Sequence, residues 1–344
     1  MKSSHPFAVL LAVDRGMFAP ALFTAHSVLR RAPKTPFDLV IAVPQNSIPR
    51  AWIDHAETQL GVKVTEAAFD HHLSITCTSN RNLPPSALYR YFFDRVLGPR
   101  YRKVIYLDAD MRVDGDISAL LDLDCEGHPF AAVPDAIIHS DASGQWRAYL
   151  ARLGLDETVC YANTGLLVID PERWAAQDVS ARVLDYLGRH AEACTLVDQS
   201  ALNAVIRGSF QKLSPVWNML SGIWFASDIA DTIHPVVFHY SGASKPWRPL
   251  TWPYDPAVTE LYRDFFRTLP WPTAVNWSGD FTAWRQFFRF RRRTFLRRLR
   301  GRPTVKPVTA PTMMKFRQFM QTASFADVRQ GIAKWRQDGS LGAA

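Results

Sequence analysis

Lys103-Val104-Ile105-Tyr106-Leu107-Asp108-Ala109-Asp110 is the stretch whose reading decides the fold. Its apolar half, rich in β-branched and aromatic residues, reads as a buried strand. The two acids fall at the strand's carboxyl end, where open α/β sheets form their ligand crevices. Strand residues two apart point to the same face, so both carboxylates are expected to reach one cation. Hard oxygen donors of this kind suit Mn²⁺ or Mg²⁺, above all when a diphosphate supplies the remaining oxygens. Taken alone, Asp-x-Asp reads more readily as a solvated strand end, and the surrounding sequence has to decide.

Working outward, strands and helices alternate. Phe7–Val13 reads as a strand, Pro20–Arg31 as a helix, Phe37–Val43 as a strand, Ile48–Leu60 as a helix and Val62–Thr65 as a short strand. Pro84-Pro85-Ser86 opens a helix to Leu97 that Gly98-Pro99 ends, just before the strand quoted above. Strands follow at Phe130–Val133, Gly165–Ile169 and Val236–His239, with helices near Ile117–Leu121, Val179–His190 and Asp198–Arg207. Such alternation predicts an α/β fold with a mainly parallel central sheet covered on both faces. Trp247 to Pro272, rich in Pro and Trp, is expected to wrap the surface.

The chain has 344 residues, 47% of them hydrophobic, enough for one large domain and an appendage. Its net charge of +8 is unevenly placed. From Phe281 to Ala344 there are 15 Lys or Arg and two acids, a local +13 that leaves −5 for the rest. Residues 1–278 are therefore read as a catalytic domain and 279–344 as a basic, aromatic-rich helical tail. Cys77, Cys125, Cys160 and Cys194 show neither Cys-x-x-Cys nor zinc spacing, which suits reduced thiols in a cytoplasmic protein. Phe7–Val13 is too short for a secretion signal, and no apolar run reaches bilayer-spanning length.

Other segments bear on chemistry. Ala12-Val13-Asp14 puts an acid at the end of the first strand. Arg90 suits either a phosphate or a neighbouring carboxylate. Asn163 is a polar residue at the start of an apolar strand, and Asp198-Gln199 opens a helix, where Asp198 also serves as a plain N-cap. His239-Tyr240-Ser241-Gly242-Ala243-Ser244-Lys245-Pro246-Trp247 joins a borderline metal ligand, flexible small residues and a cation suited to a diphosphate.

In order, Ala12-x-Asp14, His26-Ser27-Val28-Leu29, Ser86-x-x-Tyr89-Arg90, Tyr106-Leu107-Asp108-Ala109-Asp110, Asn163-Thr164-Gly165, Asp198-Gln199-x-x-Leu202-Asn203 and His239-Tyr240-x-Gly242-x-x-Lys245-Pro246-Trp247 resemble glycosyltransferase family 8. The resemblance runs from about Phe7 to Pro249. It implies a GT-A-type, Rossmann-like nucleotide-diphospho-sugar transferase fold with a mixed, mainly parallel central sheet, and retaining transfer of galactose or glucose from a UDP-sugar. It implies Asp108, Asp110 and His239 as ligands to Mn²⁺ or Mg²⁺, and Lys245 on the diphosphate, with Gly242 letting the backbone approach. Ala12 and Asp14 are implied to hold uridine, Arg90, Ala109, Asn163 and Thr164 to complete the donor site, and Asp135, Asp198 and Gln199 to meet the sugars. Met17 stands where the family usually has a uracil-stacking Tyr, and Thr164 where it has Ala.

Trp284, Phe288, Phe295 and Leu299 fall on one side of an arginine-rich helical pattern, which suits an anionic membrane surface or, as the alternative, a solvated basic helix whose apolar side packs on the body. Since relatives act on lipid-linked sugars, the acceptor is expected to be a saccharide or glycolipid, and the protein to sit peripherally at the inner face of the plasma membrane. The rivals are a haloacid dehalogenase-type phosphatase and a nucleic-acid-binding protein acting through the tail. The first is disfavoured because its Asp-x-Asp ends the first strand with Thr or Val two residues on, where this chain has Arg112. The acidic body argues against the second, and no nucleic-acid partner is expected.

Overall fold

The computed structural model describes residues 5–32, 34–68, 85–141, 143–224, 233–242, 245–248, 256–271, 310–335 and 341–343, together with Phe288, Arg292, Phe295, Leu296 and Leu299. Strands β1 (Phe7–Ala12), β2 (Asp38–Pro44), β3 (Lys63–Ala67), β4 (Lys103–Leu107), β6 (Phe130–Pro134), β7 (Ala162–Ile169) and β8 (Gln211–Lys212) form one sheet in the order β3-β2-β1-β4-β7-β6-β8. β7 alone runs against its neighbours β4 and β6, and the other pairs are parallel. This is the mainly parallel α/β architecture that the alternation predicts, with the mixed character that the family resemblance implies.

Burial on both faces explains the continuous apolar strands. In β1 and β4, Val9, Leu11, Ile105 and Leu107 join one core with the helix Phe18–Arg31, while Ala8, Leu10, Val104 and Tyr106 join a second core on the other face. A smaller sheet, β5 (Met111–Val113), β10 (Val237–His239) and β9 (Met219–Leu220), adjoins the carboxyl end of β4.

Three local expectations change. Asp108-Ala109-Asp110 does lie at the carboxyl end of β4, but in a turn and not in extended chain: β4 stops at Leu107 and the chain turns into β5. The two carboxylates are thus gathered by a turn, not by strand alternation. The segment before β4 is a 3₁₀ helix, Pro85–Phe92, followed by a short α-helix, Phe93–Leu97, rather than one continuous α-helix. The Trp247 to Pro272 region is not only a surface wrap, because it contains the helix Pro256–Arg267. Tyr262, Phe265 and Phe266 from that helix are buried, and Tyr262 stacks on Phe23 with ring centroids 3.7 Å apart.

The last described segments belong to the same core as the sheet. Met313, Phe316 and Met320 of the helix Ala310–Thr322 are buried against it, each worth about 1.5–3 kcal/mol of apolar burial. Asp327 is fully buried and accepts hydrogen bonds from the Ser214 backbone N–H at 2.9 Å, the Ser214 hydroxyl and Trp217 Nε1 at 2.9 Å. Cys125, Cys160 and Cys194 are free thiols, while Cys77 and most of the arginine-rich stretch from 281 to 309 lie outside the described residues.

Candidate active site

The carboxyl ends of β1, β4 and β10 meet at one place. The β1–β4 register pairs Leu10 with Tyr106, which carries Ala12 level with Asp108. β10 pairs antiparallel with β5 so that His239 lies opposite Met111, immediately after Asp110. The Tyr240 backbone N–H then donates to the Asp110 carbonyl at 2.9 Å. Residues 130 positions apart in sequence, Asp110 and Tyr240, are thereby held side by side.

The turn carrying the acids is clamped from beneath. Thr24 Oγ1, on the helix Phe18–Arg31, lies 2.9 Å from the Ala109 carbonyl and 2.7 Å from the Met111 carbonyl. Ser27 Oγ accepts from the Val113 N–H at 3.0 Å, and the Asp108 N–H donates to the Gly165 carbonyl at 2.8 Å. Buried turns need such partners, because an orphaned backbone group costs about as much as a lost hydrogen bond.

Asp108, Asp110 and His239 each turn one ligand atom toward the others, all within 4.8 Å. His239 Nε2 lies 3.4 Å from Asp110 Oδ1 and 3.8 Å from Asp108 Oδ2. Two hard oxygens and a borderline nitrogen at these separations fit a divalent cation such as Mn²⁺ or Mg²⁺. Asp110 also pairs with Lys245 Nζ, which donates to the Tyr240 carbonyl at 2.9 Å as well. Burial would raise the Asp110 carboxyl, but His239 and Lys245 outweigh it and hold the group below the usual carboxylate range. Burial pushes Asp108 up, Arg90 opposes this and Asp110 adds to it.

Arg90 is 7% exposed and committed to protein groups. Its Nη2 lies 3.0 Å from Asp108 Oδ1 and its Nε 3.3 Å from Asp198 Oδ2, and its Nη1 donates to the Thr164 carbonyl at 2.8 Å. The guanidinium also covers the Tyr106 ring at 4.5 Å. Of the two sequence readings for Arg90, the carboxylate pairing is the one this geometry displays. The helix begins at Val197 with Leu196 at its cap position, so Asp198 is not the N-cap that the sequence allowed; it lies in the first turn, where Arg90 pairs with it and Tyr91 Oη donates to its Oδ2 at 3.1 Å.

Asp135 caps the helix Ala136–His139, accepting from the Ile137 and Ile138 N–H groups. Its Oδ2 accepts from Asn163 Nδ2 at 2.9 Å and Gln199 Nε2 at 3.1 Å. Gln199 Oε1 accepts from the Thr164 N–H at 3.1 Å, so both ends of the amide are held. Asp14 takes a different part: its Oδ1 caps the turn Arg15–Met17, accepting the Met17 N–H at 3.1 Å, beside Ala12 at the end of β1. Gly242 is exposed with φ of +87°, a backbone state that favours glycine.

Two buried residues escape the sequence reading. Asn218, 2% exposed, lies 2.9 Å from His239 Nδ1 through Oδ1 and 2.8 Å from Asn163 Oδ1 through Nδ2. Thr24 is the turn clamp described above. Their only sequence signal is a polar side chain amid apolar neighbours, which in a core must find a partner.

The glycosyl transferase family 8 description matches residues 8–251. General stress protein A of Bacillus subtilis is 27% identical over 213 residues, covering 58% of this chain and 72% of that one. A lipopolysaccharide 1,2-glucosyltransferase of Escherichia coli is 28% identical over 194 residues, covering 53% and 54%. The chain spans about half the length of several curated relatives that it matches. Among solved structures, the galactosyltransferase LgtC with donor and acceptor sugar analogues aligns at a TM-score of 0.63 and 20% identity, over 77% of this chain and 97% of that one. That likeness establishes the shared fold. With the family description matched across the sheet, the acidic turn and the late histidine segment, the chain is a glycosyltransferase and belongs to glycosyltransferase family 8.

Proposed function

We propose that this enzyme transfers a hexose, galactose or glucose, from a UDP-sugar to a saccharide or glycolipid acceptor with retention of anomeric configuration, in a divalent-cation-dependent reaction serving lipopolysaccharide or other cell-surface glycan synthesis. The observation that carries the reading is the convergence of Asp108, Asp110 and His239 at the carboxyl end of the sheet. Mn²⁺, or Mg²⁺, bound by these three residues would supply positive charge to the diphosphate as it departs. Lys245 adds a second positive charge at the same place, and exchanges its contact with Asp110 for the diphosphate. Ala12 and Asp14, with Met17 and Phe18 beyond them, bound the end of β1 where the nucleoside lies.

As the glycosidic bond breaks, positive charge grows on the sugar carbon, and the Asp198 carboxylate and Gln199 amide stabilise it. Asp135, fixed by four donors, positions Gln199 and meets the sugar hydroxyls. A glutamine amide with both ends engaged is a poor nucleophile. Same-face attack is therefore favoured, with the leaving diphosphate taking the acceptor hydroxyl's proton. A donor screen tests the reading: with Mn²⁺ present, UDP-galactose or UDP-glucose should raise the melting temperature and give saturation-transfer signals, and GDP- or ADP-sugars should not. Equal response to all nucleotides would overturn the uridine assignment.

We further propose that the arginine-rich stretch from 281 to 309 attaches the enzyme to anionic lipid at the cytoplasmic face of the membrane. Phe288, Phe295, Leu296 and Leu299 are helical and 38–68% exposed, with exposed Arg292 among them. No helix among the described residues is long and apolar enough to cross a bilayer.

A further inference from the structure

The polarity of the network around Asn218 is fixed from its far end. A backbone N–H only donates, so the Asn163 atom that the Gly165 N–H meets at 3.0 Å is the amide oxygen. Asn163 Nδ2 accordingly faces the Asp135 carboxylate, an acceptor, at 2.9 Å. The Asn218 atom 2.8 Å from the Asn163 oxygen must then be its nitrogen, which turns Asn218 Oδ1 toward His239 Nδ1 at 2.9 Å. A carbonyl oxygen only accepts, so His239 Nδ1 carries the proton. Nε2, on the side of Asp108 and Asp110, is therefore the nitrogen that can offer a lone pair to a cation.

We propose that Asn218 is a positioning residue. It holds His239 as the Nδ1–H tautomer with Nε2 aimed at a divalent cation, and through Asn163 it joins the cation site to Asp135 and Gln199. The proposal rests on the cation reading of Asp108, Asp110 and His239. Burial makes the device effective: Asn218 is 2% and His239 5% exposed, which leaves little room for water to replace the amide. The ring's other side is closed by Gly165, where a Cβ would lie 2.4 Å from His239 Cε1. The turn Pro215–Trp217, which delivers Asn218, is itself anchored through Ser214 and Trp217 to Asp327.

Two substitutions separate the two amide functions. Asn218→Leu keeps the size and removes both. Asn218→Asp keeps an acceptor for His239 Nδ1–H but sets a carboxylate oxygen against Asn163 Oδ1, breaking the link toward Asp135. Mn²⁺ binding to the full chain is measured by calorimetry and by the paramagnetic resonance signal of free Mn²⁺. The His239 tautomer is read without metal from imidazole ¹⁵N shifts. Asn218→Leu is expected to bind Mn²⁺ roughly 10- to 100-fold more weakly and to lose the single Nδ1–H tautomer. Asn218→Asp is expected to keep the tautomer and at least wild-type affinity while donor turnover falls. Wild-type affinity together with an unchanged tautomer in a folded Asn218→Leu protein would overturn the proposal. If the wild type binds no Mn²⁺, or His239→Ala binds it as tightly, the cation reading itself fails and the positioning role falls with it.

Discussion

A methyl group on Gly165 would occupy the space of the His239 ring, with an ideal Cβ 2.6 Å from Nδ1 and 2.9 Å from Met111 Cε. Gly165→Ala is expected to cost about 1–3 kcal/mol in overpacking and to weaken Mn²⁺ binding at least ~10-fold by turning the ring. Urea unfolding and a Mn²⁺ titration measure the two effects, and an unchanged titration would mean that the ring has another way to fit. At this scale the sequence was legible where a residue type announces its chemistry: Asp108, Asp110, His239 and Lys245 stand in motifs, and folding brings them together. Asn218 was not legible, because its meaning lies in partners at positions 163 and 239 that only the tertiary fold supplies.

Between elements, the turn at Asp108-Ala109-Asp110 depends on a helix 85 residues earlier. Thr24→Val removes the hydroxyl shared by the Ala109 and Met111 carbonyls with little change in volume. The loss should be about 1–3 kcal/mol in urea unfolding, the cost of buried acceptors left without a donor. A smaller change would show that Tyr262 Oη, which reaches the Met111 carbonyl at 3.3 Å, makes good the loss. Strand and helix order was readable from apolar periodicity. The turn after Leu107 was not, since its cause is the pairing of β5 with β10 in a second sheet. The helix Pro256–Arg267 was obscured by its Pro- and Trp-rich flanks, although Tyr262, Phe265, Phe266 and Leu269 carry the helical spacing.

Across the whole molecule, the C-terminal segment closes the core through Asp327. Asp327→Ala strands the Ser214 N–H, the Ser214 hydroxyl and Trp217 Nε1, and should cost about 3 kcal/mol in thermal or urea unfolding. For the same reason the membrane reading is best tested by substitution and not by truncation. Phe288→Ser/Phe295→Ser/Leu299→Ser should reduce co-sedimentation with anionic vesicles, and added salt should reduce it further. Equal sedimentation of variant and wild type would remove the stretch as the anchor.

Stability should also fall in mild acid. Burial holds His139 below 6.5, and burial reinforced by Arg30 does the same for His26. As pH drops below about 6.5 the unfolded chain takes up protons that the folded chain refuses, so unfolding becomes easier. His139→Gln, which keeps an acceptor for the Tyr161 N–H, should lose less stability than wild type between pH 7.5 and 5.5. Parallel pH profiles of the urea midpoint would contradict this.

The central claim is a cation-dependent sugar transfer built on the acidic turn and the late histidine. UDP release from UDP-galactose or UDP-glucose by the full chain, with Mn²⁺, with EDTA and in Asp110→Asn, measures it most directly. The predicted result is release that needs Mn²⁺, stops with EDTA and falls at least ~100-fold in the folded variant, beyond what loss of a residue behind a ligand costs. Release that persists undiminished in EDTA and in Asp110→Asn would contradict the account.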